Sequence, residues 1–304
     1  MGTSTVFAPG HLTGLFQICD QAADPLRRGS RGSGVSLDIG VYTRVTAEPA
    51  DATVWSIEIN GKKTGEAFVS ENVLSKFSRR MAPHALAVEH FVETPVVAGF
   101  GSSGGGVLSL ALALNEATGA GLTGVEAAQI AHVAEIECKT GLGSVFAAVR
   151  GGFGVLTKPG APGIGEAVSY PDQSSLRVVY LHFGPISTRE ALSNPALRVK
   201  INEMGGRFVD ELSNKPTHER FMRLSRQFTE HVGLVTPRLR AVFDRMDAAG
   251  YTFTMAMFGE VAFSVMDRSR ALDAAGLLEK FFPGCEAVVV GIDEEGARVT
   301  SRSP

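Results

Sequence analysis

Cysteine is scarce in this chain of 304 residues: Cys19, Cys138 and Cys285 are all there is, irregularly spaced. So odd and scattered a set excludes a disulfide framework and gives no paired spacing for a structural zinc. A reducing, cytoplasmic setting is expected. Runs of lysine and arginine are missing too. The 29 basic residues face 32 acidic ones, for a formal net charge of −3 and a pI near 6.2. Without a basic stripe, no nucleic-acid partner is expected. The opening MGTSTVFAPGH lacks a charged start followed by a long apolar core, so no leader is expected. One stretch, Thr94 to Asn115, is free of charge over a length that could cross a bilayer. Its centre is broken by Gly99, Gly101, Gly104, Gly105 and Gly106, so no membrane contact is expected.

What the chain does have is ample apolar content, 44% of residues, enough for one large domain or two ordinary ones. The first half reads as strands, then helices. A short strand at Thr5 to Phe7 is expected to stop at Pro9-Gly10. A Gly/Ser-rich loop over residues 29–34 leads into strands at Val35 to Leu37 and Val41 to Thr46. Trp55, Ile57 and Ile59 alternate with polar residues as in a half-buried strand, and Asn60-Gly61 predicts a tight hairpin turn. After a strand at Leu86 to Glu93, one helix begins in the glycine-rich segment and is closed by Gly119. Thr123-x-x-Glu126 is a capping-box pattern opening a second helix that runs to about Lys139. Breaks at Pro159 to Gly163 and Pro171 to Ser175 bracket a domain boundary, giving domains 1–168 and 169–304. The second half reads as a strand at Leu176 to Phe183, a capping box at Ser187 to Glu190 and three amphipathic helices. The last of these opens at Thr236-Pro237. Strands at Thr252 to Met257, Val261 to Met266 and Glu286 to Gly291, and a helix at Arg270 to Phe281, complete an α+β domain with a mostly antiparallel sheet.

Three segments carry chemistry. Gly99-Phe100-Gly101-Ser102-Ser103-Gly104-Gly105-Gly106 runs straight into a helix. Glycines let backbone N–H groups approach an anion closely, and a helix start adds free donors and a favourable dipole. The spacing Gly99-x-Gly101-x-x-Gly104 formally fits a dinucleotide fingerprint, but a second helix follows where that unit needs a strand. A Walker loop would need a lysine that is absent. A glycine-rich helix packed closely on a sheet is the plain alternative. On the next helix Ala128, Ala131 and Glu135 share a face. A carboxylate among small apolar residues asks for a partner or a metal, unless Glu135 lies at the edge of the face and meets solvent or an arginine. Glu135 and Ser103 are candidate oxygen ligands for Mg²⁺ beside nucleotide phosphates. His132, one turn before Glu135, is either a hydrogen-bonded core histidine or a donor to substrate. Lys139 is either a helix ion-pair partner or a neutraliser of a moving phosphoryl group. The third segment, Asp24 to Gly34, gathers Arg27, Arg28 and Arg31 with Ser30. It suits a small acid, or, for Arg27 and Arg28, a solvated basic turn.

Together these segments resemble the GHMP kinases. The stretches Ala8 to Gly14, Asp24 to Gly34, Lys139-Thr140-Gly141-Leu142-Gly143 and Lys158 to Gly165 are similar, more narrowly, to archaeal pantoate kinases. The resemblance implies a two-domain GHMP kinase fold, ribosomal-S5-like in its N-terminal domain and ferredoxin-like in its C-terminal one. It implies ATP-dependent, Mg²⁺-dependent phosphorylation of pantoate in coenzyme A biosynthesis, by a homodimer. Gly99, Gly101, Ser102, Ser103, Gly104, Gly105 and Gly106 would bind nucleotide, with Ser103 and Glu135 as metal ligands. Ser103, Glu135, Lys139 and Ser144 would be catalytic, and His11, Ser30, Arg31 and His132 would contact the acid. Two positions depart from the family. Ser144 stands where many members carry an Asp base. Leu156 stands where some carry a basic residue for the substrate carboxylate, leaving Arg150 or Arg31 as substitutes. The departures keep two other expectations open: another small hydroxy acid, such as mevalonate or a phosphomevalonate, as acceptor, or a silent nucleotide-binding protein.

Overall fold

The computed structural model describes residues 1–65, 67–96, 98–171, 173–186 and 193–301. Its frame is one long antiparallel hairpin, β1 (Gly2–Cys19) and β2 (Gly29–Pro49), paired from Gly2 against Ala47 to Cys19 against Gly29. The expected stop at Pro9 and the expected loop over residues 29–34 are both strand. Pro9 is tolerated because the ladder shifts register between Pro9 and Gly10. The neighbour on the other side of β1, Arg298–Val299, reaches only Val6 and Phe7, so the missing donor breaks no ladder there. Gly34 pairs on both sides within the strand, and glycine is required there because a Cβ would overlap Nε2 of His11 across the hairpin.

β3 (Val54–Ile59) turns into β4 (Lys62–Lys63) through Asn60 and Gly61, both at positive φ, as the sequence predicts. β5 (His84–Val92) pairs with the open half of β2 and runs parallel to β3. The tip of the hairpin instead pairs with β6 (Phe153–Lys158), which carries β7 (Glu166–Ser169). Four helices lie against this sheet: α1 (Phe68–Phe77), α2 (Ser102–Thr118), α3 (Gly124–Cys138) and α4 (Ser144–Arg150). α2 packs on β1 and β2 and is flanked by the other three. Its Val107, Leu108, Leu110, Ala111, Ala113 and Leu114 are all buried, which accounts for the uncharged run. Among the described residues no helix is long and apolar enough to cross a membrane. Gly119 closes α2 in the left-handed conformation, and Thr123 and Glu126 form the expected capping box on α3.

The second half contains β8 (Leu176–Pro185), α5 (Pro195–Asn214), α6 (His218–Val232), α7 (Pro237–Ala248), β9 (Thr254–Met255), β10 (Gly259–Asp267), α8 (Arg268–Phe281) and β11 (Val288–Val290). Its antiparallel sheet has the order β11-β8-β10-β9. That is a βαββαβ ferredoxin-like arrangement with the helices α5 to α7 in its first crossover. The strand expected from Thr252 is confined to β9, because residues 256–259 form the turn into β10. The capping box expected at Ser187 to Glu190 lies outside the described residues.

Two apolar clusters follow from this layout. One joins α1, α2 and α3 to Val6, Ala8 and Val45. The other joins the hairpin tip, including Leu12, Phe16 and Val35, to the second sheet and its helices. Phe100, in the middle of the glycine-rich segment, belongs to this second cluster and meets the Tyr180 ring edge-on, 4.9 Å between centroids. The loop before α2 is thereby rooted in the core of the second half while its helix lies in the core of the first.

Candidate active site

A cavity of about 550 Å³ opens where the hairpin, the start of α2, the end of α3 and α4 converge. That volume lies within the range of small-molecule sites, about 300–1,000 Å³. The glycine-rich segment forms one wall. Gly99 and Gly101 sit at φ 80° and 65°, a conformation that a side chain disfavours. Gly101 is the residue before α2, and no side chain caps the helix start. The free N–H groups of the first turn, and the positive end of the dipole, are therefore left for an anion. Gly99, Gly101, Ser102, Ser103, Gly104 and Gly106 line the cavity, whereas Gly105 faces the hairpin, near Val41 and Ala8. The backbone N–H of His11 donates to the Phe100 carbonyl at 2.8 Å, which ties the loop to β1.

Glu135 is 2% exposed and lines the same cavity. Three hydroxyls donate to its carboxylate: Ser103 to Oε1 at 2.5 Å, Thr140 to Oε1 at 2.6 Å and Ser144 to Oε2 at 2.8 Å. The donors come from three different elements. Thr140 returns to the carboxylate because Lys139 ends α3 in the left-handed conformation (φ 58°), folding the next residue back over the last turn. The following residue has to be glycine, since a Cβ on Gly141 would overlap Glu135 Oε2 and Ser144 Oγ. Gly104 is equally constrained, as its Cβ would come within 2.5 Å of Ser144 Oγ. A buried carboxylate normally carries a large desolvation cost, and charge-assisted bonds from several hydroxyls offset it. Ser144 is a donor in this arrangement, and no second carboxylate lines the cavity among the described residues.

The expected acid-binding residues divide. His11 and Ser30 line the cavity. The His11 imidazole is pushed down to about 4, first by burial and then by the positive charge of Arg150, so the ring is neutral near pH 7. His132 and Arg31 are not among the lining residues. His132 is buried, and its Nε2–H donates to the Arg28 carbonyl at 3.0 Å. Burial lowers its pKa, while bonds to the carbonyls of Arg28 and Pro25 act in the opposite direction. It therefore pins the 25–29 turn beneath Ser30. Arg31 binds the Thr157 carbonyl, Gln17 and the Asp210 carboxylate. Arg27 and Arg28 form the solvated turn, Arg28 on the carbonyls of Ala22 and Ala23 and Arg27 3.8 Å from Asp24. Lys139 is exposed and stands outside the cavity. Sequence reading assigned no role to Thr140. Its signal was the Lys139-Thr140-Gly141 turn, legible only once the left-handed helix end is known.

The family model described as "GHMP kinases N terminal domain" matches residues 68–152, from α1 through α4. The pantoate kinase of Methanocaldococcus jannaschii is 31% identical over 274 residues, covering 90% of this chain and 97% of the relative. The pantoate kinase of Thermococcus kodakarensis is 34% identical, covering 90% of each chain. A solved structure described as a phosphotransferase related to the coenzyme A biosynthesis pathway superposes with a TM-score of 0.88 at 30% identity, over 98% of both chains. Similarity of this depth runs through the β1–β2 hairpin and the second sheet as well as through the glycine loop. The chain therefore belongs to the pantoate kinases, within the GHMP kinases and with their two-domain α+β fold.

Proposed function

We propose that this protein transfers the γ-phosphoryl group of ATP to the terminal hydroxyl of pantoate, forming 4-phosphopantoate for coenzyme A biosynthesis. The observation that carries the reading is the Glu135 carboxylate, ringed by the hydroxyls of Ser103, Thr140 and Ser144 beside an uncapped helix start. The N–H groups opening α2 hold the phosphate chain, and the glycines admit it without obstruction. The acceptor oxygen attacks the γ-phosphorus while the bond to the bridging β–γ oxygen breaks, and ADP leaves with that electron pair. Catalysis here is mainly positioning and charge stabilisation. Ser144, already donating to Glu135, is no base. The acceptor proton passes to an oxygen of the transferred phosphoryl group and then to water.

Glu135 and Ser103, adjacent hard oxygen donors at the cavity, would hold Mg²⁺. When bound, the cation would supply charge neutralisation across the phosphates. The three free cysteines support a reducing, cytoplasmic setting, and a homodimer is part of the proposal, with residues 1–168 as the nucleotide and acid domain and residues 169–304 as the ferredoxin-like domain. Light scattering after gel filtration reads the oligomer directly.

The test is ADP release by purified protein with ATP and Mg²⁺, with pantoate and mevalonate in parallel. Release that requires pantoate is expected. Release with mevalonate alone moves the protein to a sister activity, and silence with both overturns the kinase reading.

A further inference from the structure

We propose that Arg150, at the last turn of α4, is the anchor for the acceptor's carboxylate, so that the acceptor is a short hydroxy acid bound with its anionic end away from Glu135. This rests on the kinase reading above and adds to it the group that selects the acid. Of the described residues lining the cavity, Arg150 is the one arginine or lysine. Its guanidinium binds only neutral acceptors, the Gly151 carbonyl at 3.3 Å and the Ser169 hydroxyl. It makes no ion pair among the described residues, whereas Arg31, the other arginine considered for the acid, is held by Asp210. Partial burial lowers the Arg150 pKa from its usual value, and no counter-ion among the described residues offsets it. Such a charge is costly until an anion joins it, and a planar guanidinium meets a carboxylate with two parallel bonds.

The surroundings are shaped for it. A Cβ on Gly154 would come within 2.5 Å of Arg150 Nη1, so bare backbone in β6 makes room for the guanidinium. Leu156, two residues on and therefore on the same side of β6, also lines the cavity and supplies an apolar wall rather than a charge. His11, within the field of Arg150, stays neutral and retains hydrogen-bonding capacity for a hydroxyl of the acid. α4 sets the distance. It begins at Ser144, bonded to Glu135, and ends at Arg150, a rise of about 9 Å along the helix. The phosphate end and the carboxylate end of the site are thus the two ends of one short helix.

The experiment compares pantoate with its neutral primary amide, which keeps both hydroxyls, in the wild-type protein and in Arg150→Gln and Arg150→Lys. ADP release gives kcat and KM, and titration calorimetry gives binding of the acid and of ADP. In the wild type the acid is expected to exceed the amide about 100-fold in kcat/KM, the scale of a charge-assisted pair. Arg150→Gln should raise KM for the acid by a similar factor and leave the amide as it was. ADP affinity should be unchanged, which also shows that the variant is folded. Arg150→Lys should recover part of the loss. Turnover of the acid by Arg150→Gln with the preference over the amide intact overturns this assignment alone. A wild-type protein that neither binds nor phosphorylates the acid overturns the kinase reading together with it.

Discussion

Two buried polar clusters flank α2, and they differ in charge and in how their hydrogen bonds are used. On one side Glu135 collects hydroxyls from Ser103, Thr140 and Ser144 at a cavity that admits ligand. On the other, His90 bonds Thr43 through Nδ1 at 2.7 Å and Ser70 through Nε2 at 3.2 Å, and Thr43 bonds Ser109 at 2.6 Å. Ser109 donates in turn to the Gly105 carbonyl at 2.8 Å. The first cluster is anionic, and its hydroxyls keep lone pairs that an incoming cation can use. The second is neutral and its members bond one another, linking α1, β2, β5 and α2, although His90 and Ser70 also line the cavity. It fixes the helix whose start forms the glycine-rich wall of the cavity. The contrast separates chemistry from support: a fully satisfied neutral network rigidifies a fold, and a carboxylate with rotatable partners is poised to exchange them.

The comparison breaks most visibly at Glu135. Glu135→Gln should lower kcat about 10³-fold, the scale of losing a charged group aimed at transferring phosphate. Its circular dichroism should stay native, and a variant within tenfold of wild type would remove the residue from the catalytic site. The next effect belongs to the other cluster. Burial pushes His90 down to about 4 from 6.5, so the folded protein binds fewer protons than the unfolded chain between those values. Stability is complete above pH 6.5 and is lost as pH falls through 4, on the order of 3 kcal/mol for this one group. Urea midpoints across that range should show the loss, and His90→Gln should make it shallower. His11 is lowered in the same direction and accounts for part of what remains. Ser103→Ala should reduce kcat by about 10- to 100-fold, because one oxygen ligand is lost while the carboxylate stays. Ser144→Ala should cost less than about tenfold, the share of a single hydroxyl donor. A loss from Ser144→Ala as large as that from Glu135→Gln would give Ser144 a direct part in the transfer.

Much of the site was legible in order along the chain. The glycine-rich segment entering an apolar helix marked one wall of the cavity, and Glu135 on a face of alanines raised the question of partners, which its burial and three hydroxyl donors answer. The capping box at Thr123 and the turn at Asn60-Gly61 were equally plain, because local backbone demand decides both. Less legible were Pro9 and residues 29–34, where turn-forming composition lies inside strands. There a long-range hairpin overrides local preference, with glycine serving the close passage of His11 and Phe16. Arg31 and Arg150 show the same limit. They are alike in sequence terms, yet Asp210 from the far half of the chain holds one of them and leaves the cavity to the other.

The sequence by itself determined α2 and α3, the Thr123 capping box and the Asn60-Gly61 turn, since each follows from neighbours within a few residues, whereas α1 and α4 were not legible and the burial of Glu135 stayed open. Only the tertiary structure decided which hydroxyls reach Glu135, that His132 supports a turn, and which arginine lines the cavity. The partners lie from 5 to 32 residues away for Glu135 and more than a hundred away for His132 and Arg31, and no local pattern encodes which partner arrives.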